Sequence, residues 1–309
     1  MIRPIKLIVI VGPTASGKSA LGIQLAQALG GEILSADSRQ IYRYMDIGTA
    51  KPTPKERAAI PHHLIDILEP EQPYSAGKFV ADADRVITRL VRNQTPCIIL
   101  GGTSLYIRAL MRGIVSVPTT PPDLKKEIFD MVAQQGLSAC FDKLKRLDPK
   151  SAKILHPNDI SRICRALEVV LHTGRSIRDF QGEHRFQTER YKGYYLGIWW
   201  ERDVLYDRIN RRVNMMVQDG LIDEVAALIG KGYHKFLPAM RSIGYKQAVQ
   251  YLAGSMTKEE MLRDIQQKTR RYAKKQITWC RRNKDINWLH QNKVTDPAKG
   301  EIFAFLESG

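Results

Sequence analysis

Residues 7 to 19 read Leu7-Ile8-Val9-Ile10-Val11-Gly12-Pro13-Thr14-Ala15-Ser16-Gly17-Lys18-Ser19, an apolar pentad running straight into a glycine-bounded loop. Leu21, Leu25, Ala28 and Leu29 then recur at helical spacing, so the order is strand, glycine loop, helix. Gly12-x4-Gly17-Lys18-Ser19 is the P-loop pattern, in the strand-to-helix frame that gives such a match its meaning. Glycines let backbone N–H groups converge on phosphate oxygens, and the helix N-terminus adds positive potential. Lys18 reaches the phosphate and Ser19 can ligate Mg²⁺. Nothing in the loop says that the diphosphate belongs to a nucleotide.

Outward from this unit, short apolar runs return at Glu32 to Ala36, Leu64 to Leu68, Cys97 to Leu100 and Tyr194 to Trp200, separated by amphipathic stretches such as Phe79 to Val91. That alternation predicts an α/β fold with a P-loop NTPase-like parallel sheet. The regularity stops at Val117-Pro118-Thr119-Thr120-Pro121-Pro122, and from Asp123 to about Arg178 the chain reads as helices with no buried-strand run. After Trp200 everything reads helical: Val204 to Val217, Leu221 to Ile229, Ser242 to Leu252 and Lys258 to about Lys284. The expected organisation is a first part of the core over 1–117, a helical insertion subdomain over 118–193, and completion of the core with basic C-terminal helices over 194–309.

Composition sets the outer bounds. The chain has 309 residues, 43% of them apolar and 26% charged, which is globular and excludes disorder. Four dispersed cysteines without a CxxC pair suggest neither a zinc ribbon nor a disulfide framework. The adjacent His62-His63 pair diverges in direction, which favours structural hydrogen bonding over a metal site. No apolar run is long enough for a signal segment or a membrane span, so a cytoplasmic protein is expected. The net charge of +16 points to a polyanionic partner, with nucleic acid foremost. Half of it sits between Arg263 and Lys284, where nine basic residues face the single Asp264, an excess of +8. Ile265, Tyr272 and Trp279 recur every seven residues there, which predicts one buried stripe with the cations outside.

A P-loop ATPase also needs an apolar strand ending in Asp or Glu. Here Cys97-Ile98-Ile99-Leu100 ends in Gly101-Gly102-Thr103, which weakens a motor or GTPase reading. The carboxylate closest in type is Asp37, after the second apolar run. Strand C-termini line the ligand crevice of a parallel sheet, so Asp37 and Thr103 should both face the phosphate loop. At this level Asp37 is equally a turn former.

Several ordered motifs carry a family resemblance. The phosphate loop, Ser35-Ala36-Asp37-Ser38, Asp46-Ile47-Gly48-Thr49-Ala50-Lys51-Pro52, His62-His63-Leu64-Ile65-Asp66 and Gly101-Gly102-Thr103-Ser104-Leu105-Tyr106 are similar to the successive motifs of the tRNA dimethylallyltransferases. Asn158-Asp159-x-x-Arg162-x-x-Arg165-Ala166-Leu167-Glu168, Gly244-Tyr245-Lys246-Gln247 and Thr269-Arg270-Arg271-Tyr272-Ala273-Lys274 extend the resemblance from Leu7 to about Arg282. Tyr44 and Ser104 stand where many members carry glycine. The zinc-finger extension of eukaryotic members is missing, so the resemblance is to the bacterial type.

The resemblance implies transfer of a dimethylallyl group from dimethylallyl diphosphate to the exocyclic N6 amine of the adenosine 3′-adjacent to a tRNA anticodon, with diphosphate released. Gly12, Pro13, Thr14, Ala15, Ser16, Gly17, Lys18 and Ser19 would bind the diphosphate, with Mg²⁺ on Ser19. Arg212 is assigned to the same group, although Arg208 and Arg212, four apart on a helix, read equally as a surface pair. Asp37 would orient the amine and take its proton, and Thr103 would sit near the bridging oxygen. The tRNA-contacting set comprises Asp37, Ser38, Arg39, Gln40, Thr103, Lys125, Ser161, Arg162, Ile163, Cys164, Arg165, Arg270, Arg271, Lys274 and Lys275. Expected partners are the tRNA anticodon stem-loop and dimethylallyl diphosphate, with no membrane and a monomeric chain. A P-loop small-molecule kinase, a transferase acting on free adenine nucleotides and a non-catalytic RNA-binding module are the competing readings. The first two leave the basic helix unexplained, and the third leaves Lys18, Asp37 and Thr103 without a purpose.

Overall fold

The glycine-loop strand is the centre of a six-stranded, all-parallel sheet. The computed structural model describes residues 4–115, 117–184, 189–290 and 296–308. Its strands are β1 (Lys6–Val11), β2 (Glu32–Ser35), β3 (His62–His63), β4 (Cys97–Leu100), β5 (Lys192–Trp199) and β6 (Ile286–His290), in the order β3-β2-β4-β1-β5-β6. β1 pairs with β4 through Ile8 and Ile98 and with β5 through Ile8 and Tyr194. Leu7, Ile8, Val9 and Ile10 are wholly buried, as a strand covered on both faces must be. Each such side chain contributes about 1.5–3 kcal/mol relative to exposure, which fixes β1 and therefore the loop it feeds. The α/β parallel-sheet expectation holds.

Two local expectations do not. The run Leu64 to Leu68 is no strand: pairing ends at His63, and Leu64 and Asp66 take φ of +61° and +55°, left-handed values that turn the chain. Asp66 instead holds the buried Lys51 at 2.5 Å and the partly exposed Arg57 at 2.5 Å, and the run's sole described pairing is an isolated bridge from Leu68 to Tyr42. The expectation of helices alone after Trp200 missed β6. Its Ile286-Asn287-Trp288-Leu289-His290 buries only Ile286, because it is the sheet's edge and needs no continuous apolar run. The strand expected from Tyr194 begins at Lys192 and ends at Trp199. Tyr44 occupies φ +64°, a value that glycine reaches at no steric cost.

The chain divides into two compact units, Met1–Arg112 with Glu189–Gly309, and Gly113–Thr188. The second contains helices Pro122–Leu147, Pro149–Ala152, Ile160–Thr173 and Ile177–His184, the first broken at Gly136 where φ is +80°. Ile128, Cys140, Phe141, Leu144, Ile163, Ala166 and Leu167 form its own core. In the first unit, helices Arg202–Gln218, Leu221–Gly230, Tyr245–Leu252 and Lys258–Cys280 bury Leu205, Ile209, Val225, Met261 and Ile265 around Tyr245. Among the described residues no helix is long and apolar enough to cross a membrane.

Candidate active site

The glycine loop leaves β1 at Gly12 and enters helix Lys18–Leu29 through Gly17, whose φ of +98° caps the helix without a side chain. Lys18 Nζ folds onto the loop and donates to the Pro13 carbonyl at 2.7 Å. Burial, and secondarily the Arg212 charge, pushes its pKa down to about 8. Asp37 acts in the opposite direction on both Lys18 and Arg212, so the three charges share one site.

Other elements clamp the loop from above. Arg212 donates to Thr14 Oγ1, Arg208 Nε donates to the Ala15 carbonyl at 2.9 Å, and Trp200 Nε1 donates to the Ser16 carbonyl at 2.9 Å. The Arg208 guanidinium lies 4.1 Å from the Trp200 ring centroid. Both arginines of helix Arg202–Gln218 therefore face the loop and do not form a surface pair. From helix Lys258–Cys280, Gln276 accepts from Thr14 N at 2.8 Å and donates to the Gly102 carbonyl at 3.0 Å. A Cβ on Gly102 would stand 2.2 Å from Gln276 Nε2, so a larger residue there would displace the Gln276 amide from this junction. The Gln276 bond occupies the Thr14 amide and the Ser16 amide donates to the Pro13 carbonyl at 3.3 Å, which leaves the amides of Ala15, Gly17, Lys18 and Ser19 for an anion. Arg212 Nε and Ser16 Oγ are buried with no hydrogen-bond partner among the described residues. An uncompensated buried donor is costly, and an anion in the loop removes that cost.

Asp37 follows β2. Its Oδ1 accepts from Arg39 N at 2.8 Å and Gln40 N at 3.4 Å, an Asx turn that leaves Oδ2 without a donor among the described residues. Thr103 Oγ1 accepts from Ser38 N at 3.0 Å, tying the loop after β4 to the turn that carries Asp37, while its own hydroxyl proton has no acceptor among the described residues. Gln40 accepts from Ser35 Oγ at 3.1 Å and donates to the Ala50 carbonyl at 3.1 Å. It pins the following loop, in which Glu224 accepts from Asp46 N at 2.8 Å and Ile47 N at 2.8 Å. Tyr245 donates to the same Glu224 at 2.5 Å.

A cleft of about 530 Å³ opens over the phosphate loop, lined by Lys18, Ser19, Asp37, Gln40, Arg208, Arg212 and Tyr272, among others. A chamber of about 310 Å³ adjoins it and shares Thr14, Asp37, Thr49, Arg212 and Tyr272. Asp37 and Arg212 thus stand on the boundary between a space lined by the glycine loop and a second one that includes Ser38, Arg39, Arg241, Ile243 and Tyr245. Two groups can meet there, one held by the loop and one presented to Asp37. Arg39 also donates to the Pro238 carbonyl at 3.2 Å. His62 borders the first cleft, bonded through Nδ1 to the Ile60 carbonyl at 2.7 Å and with its pKa lowered by burial; His63 Nε2 lies 2.5 Å from Glu32.

The RNA-contact set is sorted by this structure. Helix Lys258–Cys280 buries Met261, Ile265, Thr269, Ala273, Gln276 and Cys280, so the seven-residue stripe is corrected: Ile265 is inside, Tyr272 lines the cleft and Trp279 is only half-buried. A stripe advancing by four and three follows the helix, whereas strict sevens drift off it. Arg271, Lys274 and Lys275 are exposed, but Arg270 turns inward, donating to Asn210 at 2.6 Å. In the helical unit Lys125, Ser161 and Arg162 are exposed, with Arg162 3.2 Å from Asp159. Arg165 bonds Glu168 at 2.8 Å and Thr120 at 3.1 Å. Ile163 is wholly buried in that unit's core, so its side chain does not face RNA as the resemblance implied, while Cys164 is half-buried and packs against that core.

Gln276, Trp200 and Glu224 escaped sequence reasoning. Each acts across more than 170 positions of chain, and no local motif marks it.

A Mg²⁺ ion needs oxygen ligands and retains several from substrate or water. Among the described residues no three His, Cys, Asp or Glu side chains cluster as a metal site. What the cleft offers is the exposed Ser19 hydroxyl beside the loop and the free Oδ2 of Asp37, which suits an ion shared with a diphosphate.

The family model described as IPP transferase matches residues 40–283. A tRNA dimethylallyltransferase of Geobacter metallireducens is 45% identical over 300 residues, 97% of each chain. That of Geobacter sulfurreducens is 47% identical over 284 residues, covering 92% of this chain and 91% of its own. The full-length tRNA isopentenylpyrophosphate transferase of Bacillus halodurans aligns with a TM-score of 0.70 and 40% identity, covering 97% of this chain and 95% of its own. A eukaryotic dimethylallyltransferase solved acting on tRNA aligns with a TM-score of 0.79 and 27% identity, over 96% of this chain and 78% of its own. With the relatives covering the glycine loop and the family model covering the Asp37 turn's continuation through the basic helix, the chain belongs to the IPP transferase family of tRNA dimethylallyltransferases.

Proposed function

We propose that this protein transfers a dimethylallyl group from dimethylallyl diphosphate to the N6 amine of the adenosine 3′-adjacent to the anticodon in tRNA, and that it does so as a monomer. The observation that carries the reading is Asp37 at the boundary of two joined chambers, with Lys18 and Arg212 beside it. The phosphate loop holds the diphosphate through the amides of Ala15, Gly17, Lys18 and Ser19, with Lys18 and Arg212. The charge that develops on the leaving oxygen meets donors already in position. Thr103, whose hydroxyl proton is uncommitted, donates to the bridging oxygen. Asp37 accepts a hydrogen bond from the adenine amine and takes its proton as the N–C bond forms and the C–O bond to diphosphate breaks. The amine's lone pair is delocalised into the ring, so orientation by Asp37 supplies much of the rate. Ser19 would hold a Mg²⁺ ion shared with the diphosphate, and that ion would supply charge neutralisation to the leaving group.

A stacked anticodon-loop base cannot reach Asp37, so the target nucleotide is extruded into the cleft. The cations of helix Lys258–Cys280 and of the helical unit supply phosphate contacts for that exchange. The test is release of inorganic diphosphate from protein, Mg²⁺ and dimethylallyl diphosphate with and without unmodified tRNA. Release that depends on tRNA supports the reading. Phosphate release from ATP with no tRNA-dependent turnover of dimethylallyl diphosphate would make the protein a kinase or ATPase.

A further inference from the structure

Helix Lys258–Cys280 presents Tyr272 and Gln276 to the cleft, and its other side forms a separate groove of about 470 Å³ lined by Arg271, Lys274, Lys275, Thr278, Trp279 and Arg282. Four of these six are cations, and none of the four makes an ion pair or a side-chain hydrogen bond among the described residues. Arg282 stands close enough to Arg108 for the two charges to repel. Cations crowded together without carboxylates call for an anion. The fifth member is unexpected in a phosphate-binding face: Trp279 is half-buried, outside the helix's buried stripe, and its indole N–H has no partner among the described residues.

A surface that grips phosphates alone has no use for an indole, and an apolar partner has no use for four unpaired cations. An aromatic face among cations is the chemistry of unpaired nucleotides, whose bases stack while their phosphates are neutralised. We infer that this groove is a second RNA subsite, which takes one unpaired nucleotide beyond the extruded adenosine, its base on Trp279 and its phosphates on Arg271, Lys274, Lys275 and Arg282. The inference rests on the tRNA reading above and assigns Trp279 a positioning part in it. A strand that delivers one nucleotide to the Tyr272 side of the helix passes over to the Trp279 side, so the helix acts as the saddle that keeps the target splayed from its neighbour.

Stacking and charge separate experimentally, because only phosphate contacts release counterions. Binding of an unmodified anticodon stem-loop RNA is measured against salt for Trp279→Ala, Trp279→Leu and Trp279→Phe, with dimethylallyl diphosphate affinity as the check on folding. Alanine and leucine should each weaken RNA binding about 5- to 150-fold, the loss of one base stack, with the salt slope unchanged. Phenylalanine should remain within about threefold of the parent. Leucine equal to phenylalanine would make Trp279 an apolar spacer and overturn the inference, as would an alanine variant that binds RNA like the parent. If the parent binds no RNA and transfers no prenyl group, the functional reading itself has failed; if transfer persists while Trp279→Leu is silent, only the subsite has.

Discussion

At the scale of single residues, Asp37 and Lys18 make separable claims. Asp37→Asn keeps an oxygen for the Arg39 and Gln40 amides and so keeps the turn, but it cannot accept a proton. Single-turnover transfer should fall by about 10² or more, the size of a general-base contribution, with tRNA and diphosphate affinities within a few-fold. Near-normal turnover removes Asp37 from the chemistry. Lys18 has its pKa pushed down to about 8 in the empty site by burial and by Arg212. Its charge is present below that value and lost as pH rises through it. Dimethylallyl diphosphate affinity should therefore weaken between pH 7 and 9 by up to about tenfold, the change in the protonated fraction. The same depressed pKa means that the unfolded chain binds the extra proton between about pH 8 and the usual lysine value of 10.5, so Lys18 makes the empty protein relatively more stable as pH climbs through that window. In Lys18→Met the loss of affinity above pH 7 should be absent; a titration curve identical to the parent's would place the titrating group elsewhere.

Among the elements, the basic helix carries the division of labour. Its buried side holds Gln276 on the phosphate loop and its outer side holds the unpaired cations, so one rigid rod serves both substrates. Replacing Arg271, Lys274 and Lys275 with Ala should flatten the slope of log RNA affinity against log salt by roughly 0.7 to 0.9 per lost phosphate contact. Arg270→Ala should leave that slope alone, because its guanidinium is committed to Asn210. Equal effects from the two would mean that the inward turn of Arg270 is not kept on RNA. The sequence made much of this legible: a buried pentad, a glycine loop and a lysine state their structure in thirteen consecutive residues. Charge excess likewise located the helix. What stayed hidden was anything decided across the chain, such as Gln276 against Thr14, or decided by helical phase, such as Trp279 outside the core. The Leu64 to Leu68 run misled because hydrophobicity alone does not register two left-handed residues, and β6 hid because an edge strand needs one buried side only.

In the whole molecule, the two units divide the work by composition. The described lining of the cleft belongs to the sheet unit, and the helical unit has its own core and an exposed Lys125, Ser161 and Arg162. A net charge of +16 acts as a long-range attraction for a polyanion, and in the proposed reaction that encounter ends at Asp37, where the two chambers meet. The central claim is that a loop built to hold phosphates holds here a prenyl diphosphate facing an adenine amine. Nucleotide-resolved mass spectrometry tests it on unmodified tRNA incubated with the protein, Mg²⁺ and dimethylallyl diphosphate. The account predicts a gain of one C5H8 unit on a single adenosine, the one following the anticodon, and no gain when ATP replaces the prenyl donor. An unchanged adenosine, or a phosphoryl group added from ATP, would contradict it.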